Sequence, residues 1–172
     1  MQQFDDYSNV LIEERKERRI PKDYPSTSRF KAYKESGSFS THDASRPGIA
    51  CVALHALRDE VVLTGGFDHK GVLFDRNAGK VLMRLEEHKK KINTCCFVPQ
   101  ADGLYGMLGS SDNSASVWRL EEKPKLVYRT DCHRHSVTGL SVHPMGSYAV
   151  VGSKDGTWSF HNIEKGVCLK SF

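Results

Sequence analysis

Gly109-Ser110-Ser111-Asp112-Asn113-Ser114-Ala115-Ser116-Val117-Trp118-Arg119-Leu120 is the stretch that decides the fold. Its lead-in, Met107-Leu108-Gly109-Ser110, is small and apolar and runs into the pair Asp112-Asn113; Ala115, Val117 and Trp118 then resume an extended pattern. Asp and Asn favour turns because their short side chains bond nearby backbone and tolerate left-handed φ. The stretch therefore predicts a β-hairpin whose second strand ends in tryptophan. The phrase recurs in weaker spelling. Leu63-Thr64-Gly65-Gly66-Phe67-Asp68 leads to Val72-Leu73-Phe74-Asp75, and Val151-Gly152-Ser153-Lys154-Asp155 leads to Thr157-Trp158-Ser159-Phe160. The turn aspartates lie 44 and 43 residues apart.

Short apolar segments fill the intervals. Strands are predicted at 49–54, 61–64, 72–75 and 80–85, then at 92–98, 105–110, 116–120 and 126–129, and last at 137–143, 148–152, 157–161 and 167–171. A four-strand unit repeated at this spacing, with an Asp turn and an aromatic finish, has the period of a WD40 propeller blade. The fold class expected is all-β: a WD40 β-propeller portion of about three four-stranded blades, near 48–86, 87–131 and 132–172. The first strand of each set is almost continuously apolar, which predicts a strand covered on both faces. Three blades leave two apolar outer faces, so the isolated chain is expected to be marginal, to aggregate or to lean on another chain.

Residues 1–47 read differently. Val10 to Arg19 has good helix formers and pairs Glu14 with Arg18 at helical spacing, predicting a short helix ended by Pro21 and Pro25. Its apolar face is only Val10, Leu11 and Ile12. Lys22 to Ser40 is polar and aperiodic, a linker with Tyr24, Phe30, Tyr33 and Phe39 as its anchoring side chains.

Composition excludes several classes of function. The net charge of +4 is spread out: residues 1–48 hold nine Lys/Arg against eight Asp/Glu, the remainder sixteen against thirteen. No direct nucleic-acid binding is evident from such a balance. Five cysteines without a CxxC do not form a disulfide framework, and neither a secretory signal nor a membrane span is seen, which points to a reducing compartment.

Each set has a histidine in the loop before it: His88 stands 24 residues ahead of Asp112, His133 22 ahead of Asp155, and His42 26 ahead of Asp68. A neutral imidazole accepts from a hydroxyl on one side and donates to a carboxylate on the other, which ties a loop to its own hairpin. The complete structural tetrad expected is His88, Ser110, Asp112 and Trp118. The weaker copies are His42, Thr64, Asp68 and Phe74, and His133, Ser153 and Asp155 with either Trp158 or Phe160. Equal spacing assigns the three aspartates one shared structural task rather than catalysis. Cys132-His133-Arg134-His135, with Cys95-Cys96 and His88, has the residue types of a zinc site. Adjacent strand residues point to opposite faces, however, so no metal and no cofactor is expected. His88-Lys89-Lys90-Lys91 lies in an inter-blade loop, where Lys89, Lys90 and Lys91 are candidates to contact a phosphate or an acidic peptide.

Thr41-His42-Asp43-Ala44-Ser45-Arg46-Pro47-Gly48-Ile49, the first hairpin, His88 to Ile92, Ser136 to His143 and Trp158-Ser159-Phe160 together resemble the pre-mRNA-processing factor nineteen family. The segment Val10 to Lys16 looks like that family's join between coiled coil and propeller. The resemblance implies a U-box ubiquitin ligase of the nucleus, with a tetramerising coiled coil. It also implies a seven-bladed propeller that binds spliceosomal partners, the proteins of the family's own complex and ubiquitination substrates. No U-box residue is found in this sequence, so ligase chemistry is carried to no residue here. The alternative is a non-ligase WD40 scaffold or adaptor of another nuclear complex.

Overall fold

The structure, a computed structural model, describes residues 12, 13, 15, 16, 26–100 and 103–172. The chain divides into two units, residues 1–38 and 39–172. In the first, Ile12, Glu13, Arg15 and Lys16 are helical, and Lys16 Nζ lies 2.8 Å from Glu13 Oε1. The rest of the helix expected from Val10 to Arg19, and Tyr24, lie outside the described residues. One helical turn, α1 (Thr27–Phe30), follows within the predicted linker. Phe30 and Tyr33 meet edge to face, 5.7 Å apart, and both remain exposed.

Among the described residues, the second unit is built of twelve strands in three antiparallel sheets. β1 (Ile49–Leu54), β2 (Val61–Gly66), β3 (Gly71–Asp75) and β4 (Lys80–Leu85) pair in sequence order. So do β5 (Ile92–Gln100), β6 (Gly103–Ser110), β7 (Ala115–Leu120) and β8 (Pro124–Thr130). β9 (Val137–Val142), β10 (Tyr148–Ser153), β11 (Trp158–Asn162) and β12 (Val167–Ser171) complete the set. This is the all-β propeller portion expected from the repeat. Among the described residues, no helix is long and apolar enough to cross a membrane.

Side chains alternate across each strand, so a middle sheet can pack on both neighbours at once. In the second sheet Leu108, Trp118 and Leu120 join Val61, Leu63, Leu73 and Leu85 in one core. Its other face sends Tyr105, Met107, Ala115 and Val117 against Val137, Ala149, Val151 and Ile163. At about 25 cal/mol per Å² of apolar surface removed from water, these two seams are the main force stacking the sheets. Phe39 adds to the first sheet from outside, its ring 5.0 Å from that of Phe74.

One expectation needs correction. Of these apolar first strands, β5 is covered on both faces, with Cys95 and Phe97 against one core and Cys96 and Val98 against the other, whereas β1 and β9 pack a single face on a neighbouring sheet, and Val52 and Leu54 of β1 are 63% and 66% exposed. Full burial falls instead on the two middle strands of the first and second sheets, whose small residues admit the neighbour. Gly109 is such a position: a Cβ there would stand 2.6 Å from Val137 Cγ1. A Cβ at Gly65 would meet Ile92 in the same way, whereas at Gly152 its nearest contact would be the Gly139 oxygen at 4.0 Å.

This difference is measurable. Gly109→Val is expected to cost about 1–3 kcal/mol by overpacking the seam, and Gly152→Val to stay within about 0.5 kcal/mol. Urea unfolding of the two variants beside the parent checks the contrast; equal losses would refute the seam argument.

Candidate functional site

Each sheet places a loop histidine over the turn of its second and third strands. In the second sheet His88 Nδ1 lies 3.0 Å from Asp112 Oδ2, and His88 Nε2 lies 2.8 Å from a serine hydroxyl. That hydroxyl belongs to Ser116, not Ser110. The Trp118 indole N–H donates to the same Ser116 Oγ at 2.9 Å. A carboxylate only accepts, so Nδ1 carries the imidazole proton and Nε2 accepts from Ser116. The result is a directed chain from Trp118 through Ser116 and His88 to Asp112.

Ser110 sits one pleat away and has another task. Its hydroxyl donates to the Lys90 and Lys91 carbonyls, at 3.0 and 3.1 Å, and accepts the Asp112 N–H at 3.1 Å. It therefore fastens the lysine loop to the turn.

The first sheet has the same chain with its hydroxyl on the other strand. His42 Nδ1 is 2.8 Å from Asp68 Oδ1, and His42 Nε2 is 2.9 Å from Thr64 Oγ1. Thr64 pairs with Val72 across β2 and β3, as Leu108 pairs with Ser116 across β6 and β7. One cross-strand pair thus offers two places for one hydroxyl. Phe74, at the tryptophan position, contributes no N–H and packs on Phe39.

In the third sheet His133 Nε2 is 2.7 Å from Ser159 Oγ, and Ser159 pairs with Val151. His133 Nδ1 lies 3.3 Å from Asp155 Oδ2. Neither expected aromatic serves. Trp158 is 44% exposed and stacks on Phe172 at 4.1 Å, while Phe160 stacks on Tyr148 at 5.3 Å. The physical reason is strand parity: both stand an odd number of residues from Asp155 and point away from Ser159's side. His161 takes the tryptophan position, with Nε2 2.6 Å from Ser159 Oγ and Nδ1 3.0 Å from the Tyr128 hydroxyl. Because Ser159 donates to His133, His161 must present Nε2–H to it, as the indole does in the second sheet. Ser153 copies Ser110 by donating to the His135 carbonyl at 2.9 Å.

The carboxylates are fully engaged. Burial opposes the charge on Asp112, but hydrogen bonds from His88, Ser114 and the Lys89 N–H outweigh it and hold the group well below the usual carboxylate range. Burial likewise opposes Asp68, and the Asp43 N–H, His42 and the Lys70 N–H lower it on balance. The Thr157 hydroxyl is the main cause that lowers Asp155, helped by the Arg134 N–H. Burial, and secondarily the charge of nearby His133, pushes the His161 imidazole down to about 4.

Hydroxyl, imidazole and carboxylate in line also describe the nucleophilic triad of a hydrolase. These three cannot act as one. Ser116 and Ser159 are 0% exposed and Thr64 is 6% exposed, so no substrate atom reaches the oxygen. In the second and third sheets a donor already occupies its lone pair. The chains are fastenings.

What they fasten is a set of loops carrying cations. Lys89, Lys90, Lys91, Arg134 and Lys154 are exposed around the turns of the second and third sheets. The loops interlock: Asn113 Nδ2 donates to the Arg134 carbonyl at 3.2 Å and the Lys154 N–H to the Ser136 carbonyl at 2.9 Å. Asp112 and Asp155 face inward and take backbone N–H groups, and Glu87 and Asp131 beside these loops pair with Arg129. Lys91 Nζ rests 5.1 Å from the centre of the Phe67 ring.

Cysteines fall into two groups. Cys95 and Cys96 point to opposite cores, and burial pushes the Cys96 thiol up to about 12. Cys132 and Cys168 are exposed and lie beside His161, their ligand-type atoms all within 4.8 Å of one another. Spacing along the chain does not show this grouping, because His161 and Cys168 come together only through β11–β12 pairing.

Comparison with known proteins follows the same lines. The model of the family "WD domain, G-beta repeat" matches residues 79–119 and 124–162. With three four-stranded sheets and a histidine-anchored turn in each, the chain is a WD40-repeat propeller portion. It is 34% identical over 164 residues to Pre-mRNA-processing factor 19 of Oryza sativa subsp. japonica, covering 94% of this chain and 31% of that protein. Pre-mRNA-processing factor 19 homolog 2 of Arabidopsis thaliana is 32% identical over 95% of this chain and 31% of its own length. The Bos taurus Pre-mRNA-processing factor 19 is 31% identical over 98% and 34%. The chain belongs to the pre-mRNA-processing factor 19 family, within its WD region, and spans about a third of the length of these relatives.

Two outcomes test the fastenings. Ser116→Val leaves the buried Trp118 N–H and His88 Nε2 without their partner and is expected to cost about 2–4 kcal/mol. Adding Leu108→Thr restores the hydroxyl from the opposite strand, as Thr64 supplies it, and recovers at least half of that loss in urea unfolding. His161 is neutral in the fold, so its contribution is complete above about pH 6.5 and is lost as pH falls toward 4, on the order of 3 kcal/mol. His161→Gln, which donates to Ser159 without titrating, flattens the difference in unfolding free energy between pH 7 and pH 4.5.

Proposed function

We propose that this chain is the partner-binding WD region of a nuclear pre-mRNA-processing factor, serving spliceosome activation within an E3 ubiquitin-protein ligase of the U-box type. The relatives' printed names support the pre-mRNA role, and their greater length leaves room for a ligase module and an oligomerising coiled coil. The contribution of these residues is recognition of spliceosomal proteins and ubiquitination substrates. The observation that carries the reading is the interlocked cationic loop set, with Lys89, Lys90 and Lys91 held by Ser110 and by the Lys89 N–H bond to Asp112, 2.9 Å long.

Held backbone lowers the ordering cost of binding, and the turn carboxylates of Asp112 and Asp155 are bonded inward, away from an acidic partner segment. Charge-based recognition of this kind also weakens with salt, because exposed pairs are screened within a Debye length. A labelled acidic peptide of glutamates and aspartates is the direct probe. Reversal of all three lysines, Lys89→Glu, Lys90→Glu and Lys91→Glu, is expected to weaken its binding at least tenfold, about 1.4 kcal/mol, with unchanged circular dichroism. Equal binding by parent and variant removes the assignment of this face. Tighter binding of a single-stranded RNA of equal charge transfers the face to nucleic acid instead.

A further inference from the structure

Cys132 and Cys168 belong to no core, and their sulfurs lie within 4.8 Å, with the Cys132 thiol at the edge of the third fastening, where it donates to Ser159 Oγ at 3.4 Å. Cys132 stands in the loop just ahead of His133, and Cys168 on β12 is the cross-strand neighbour of His161. Both are exposed, so a dissolved small oxidant reaches them. We propose that Cys132 and Cys168 form a peroxide-sensitive thiol pair that closes to a disulfide between the loop and strand β12.

The residue between them decides against a metal ion. His161 Nε2–H is committed to Ser159 Oγ at 2.6 Å, so an ion on that nitrogen would take the place of the serine oxygen. Two thiols then remain, with less than about 3 Å to close to the S–S bond length. The two sulfurs also have different surroundings. Cys132 Sγ accepts from Thr130 Oγ1 at 3.2 Å and donates to Ser159 Oγ at 3.4 Å. Burial, with neighbouring Cys132 as a further cause, raises the Cys168 thiol.

The order of events follows. The Cys132 thiolate attacks one oxygen of hydrogen peroxide; the O–O bond breaks, and the leaving hydroxide takes a proton to become water. Cys132 is then a sulfenic acid. The Cys168 sulfur gives up its proton and attacks the Cys132 sulfur; the S–S bond forms, the S–O bond breaks, and the departing hydroxide takes that proton as a second water. Two thiols are oxidised by two electrons and one peroxide is reduced to two waters. The bond fixes the edge strand β12 to the loop that carries Arg134 and His135.

The test uses the folded chain and stoichiometric hydrogen peroxide, followed by N-ethylmaleimide and non-reducing proteolysis with mass spectrometry. The expected product is a linked pair of peptides containing Cys132 and Cys168, lighter by two hydrogens, with Cys51, Cys95 and Cys96 alkylated. Cys168→Ser, an exposed substitution whose folding is checked by circular dichroism, is expected to halt Cys132 at the sulfenic acid, which dimedone traps. Alkylation of both thiols, or their separate oxidation to sulfinic acids, overturns the proposal. So does a link that joins Cys51 to Cys95 and leaves Cys132 free.

Discussion

A charged carboxylate placed at a nearly closed turn is stable only if donors surround it, and the three turn aspartates make everything around them conform to that requirement. Asp112 draws in an imidazole, a hydroxyl and two backbone N–H groups. The imidazole that reaches it must present Nδ1–H, which forces Nε2 to accept, which in turn requires a hydroxyl below it. The polarity of the whole chain of bonds is thus set from one end. Because its members come from a loop, a turn and a strand, satisfying one charge fixes the relative positions of three segments.

Packing between sheets supplies the force and the fastenings supply the geometry. Hydrophobic seams are non-directional, and they would tolerate small rotations of one hairpin over its neighbour. The imidazole bonds do not. They hold the loops ahead of β5 and β9 at a fixed height above the strands, and Ser110 and Ser153 repeat the restraint from one pleat away. A surface of lysines and arginine results whose backbone is immobilised although its side chains are in water.

The sequence made the strands legible because each is short, apolar and bounded by turn residues, and the Asp-to-Asp period made the sheets legible as copies. Burial was harder to read. Apolar content pointed to β1, β5 and β9, but only β5 has a packed sheet on each side, and that neighbourhood is encoded in no single strand. The imidazole and carboxylate of each fastening stood out by spacing. The hydroxyls did not, since Ser110 and Ser116 are both near Asp112, and only the cross-strand register, which sets Ser116 opposite Leu108 and Ser110 one pleat nearer the turn, separates the one that bonds His88. The rule that Ser116 and Ser159 each lie four residues past their aspartate was present in the sequence, as was His161 two residues further on. His161 does not stand out beside Trp158 and Phe160, because its value lies in an N–H rather than in an aromatic carbon ring.

The cross-strand pairs Thr64–Val72, Leu108–Ser116 and Val151–Ser159 bear on how such repeats diverge. A hydroxyl can be gained on the empty side of a pair before it is lost from the other, since two facing hydroxyls bond each other. The intermediate never leaves the imidazole unsatisfied. Copies descended from one ancestral repeat can therefore drift apart in spelling, through single viable substitutions, while each keeps the same arrangement of bonds. The recognisable unit of inheritance in this chain is the pair of positions, and the letter at either one is free to change.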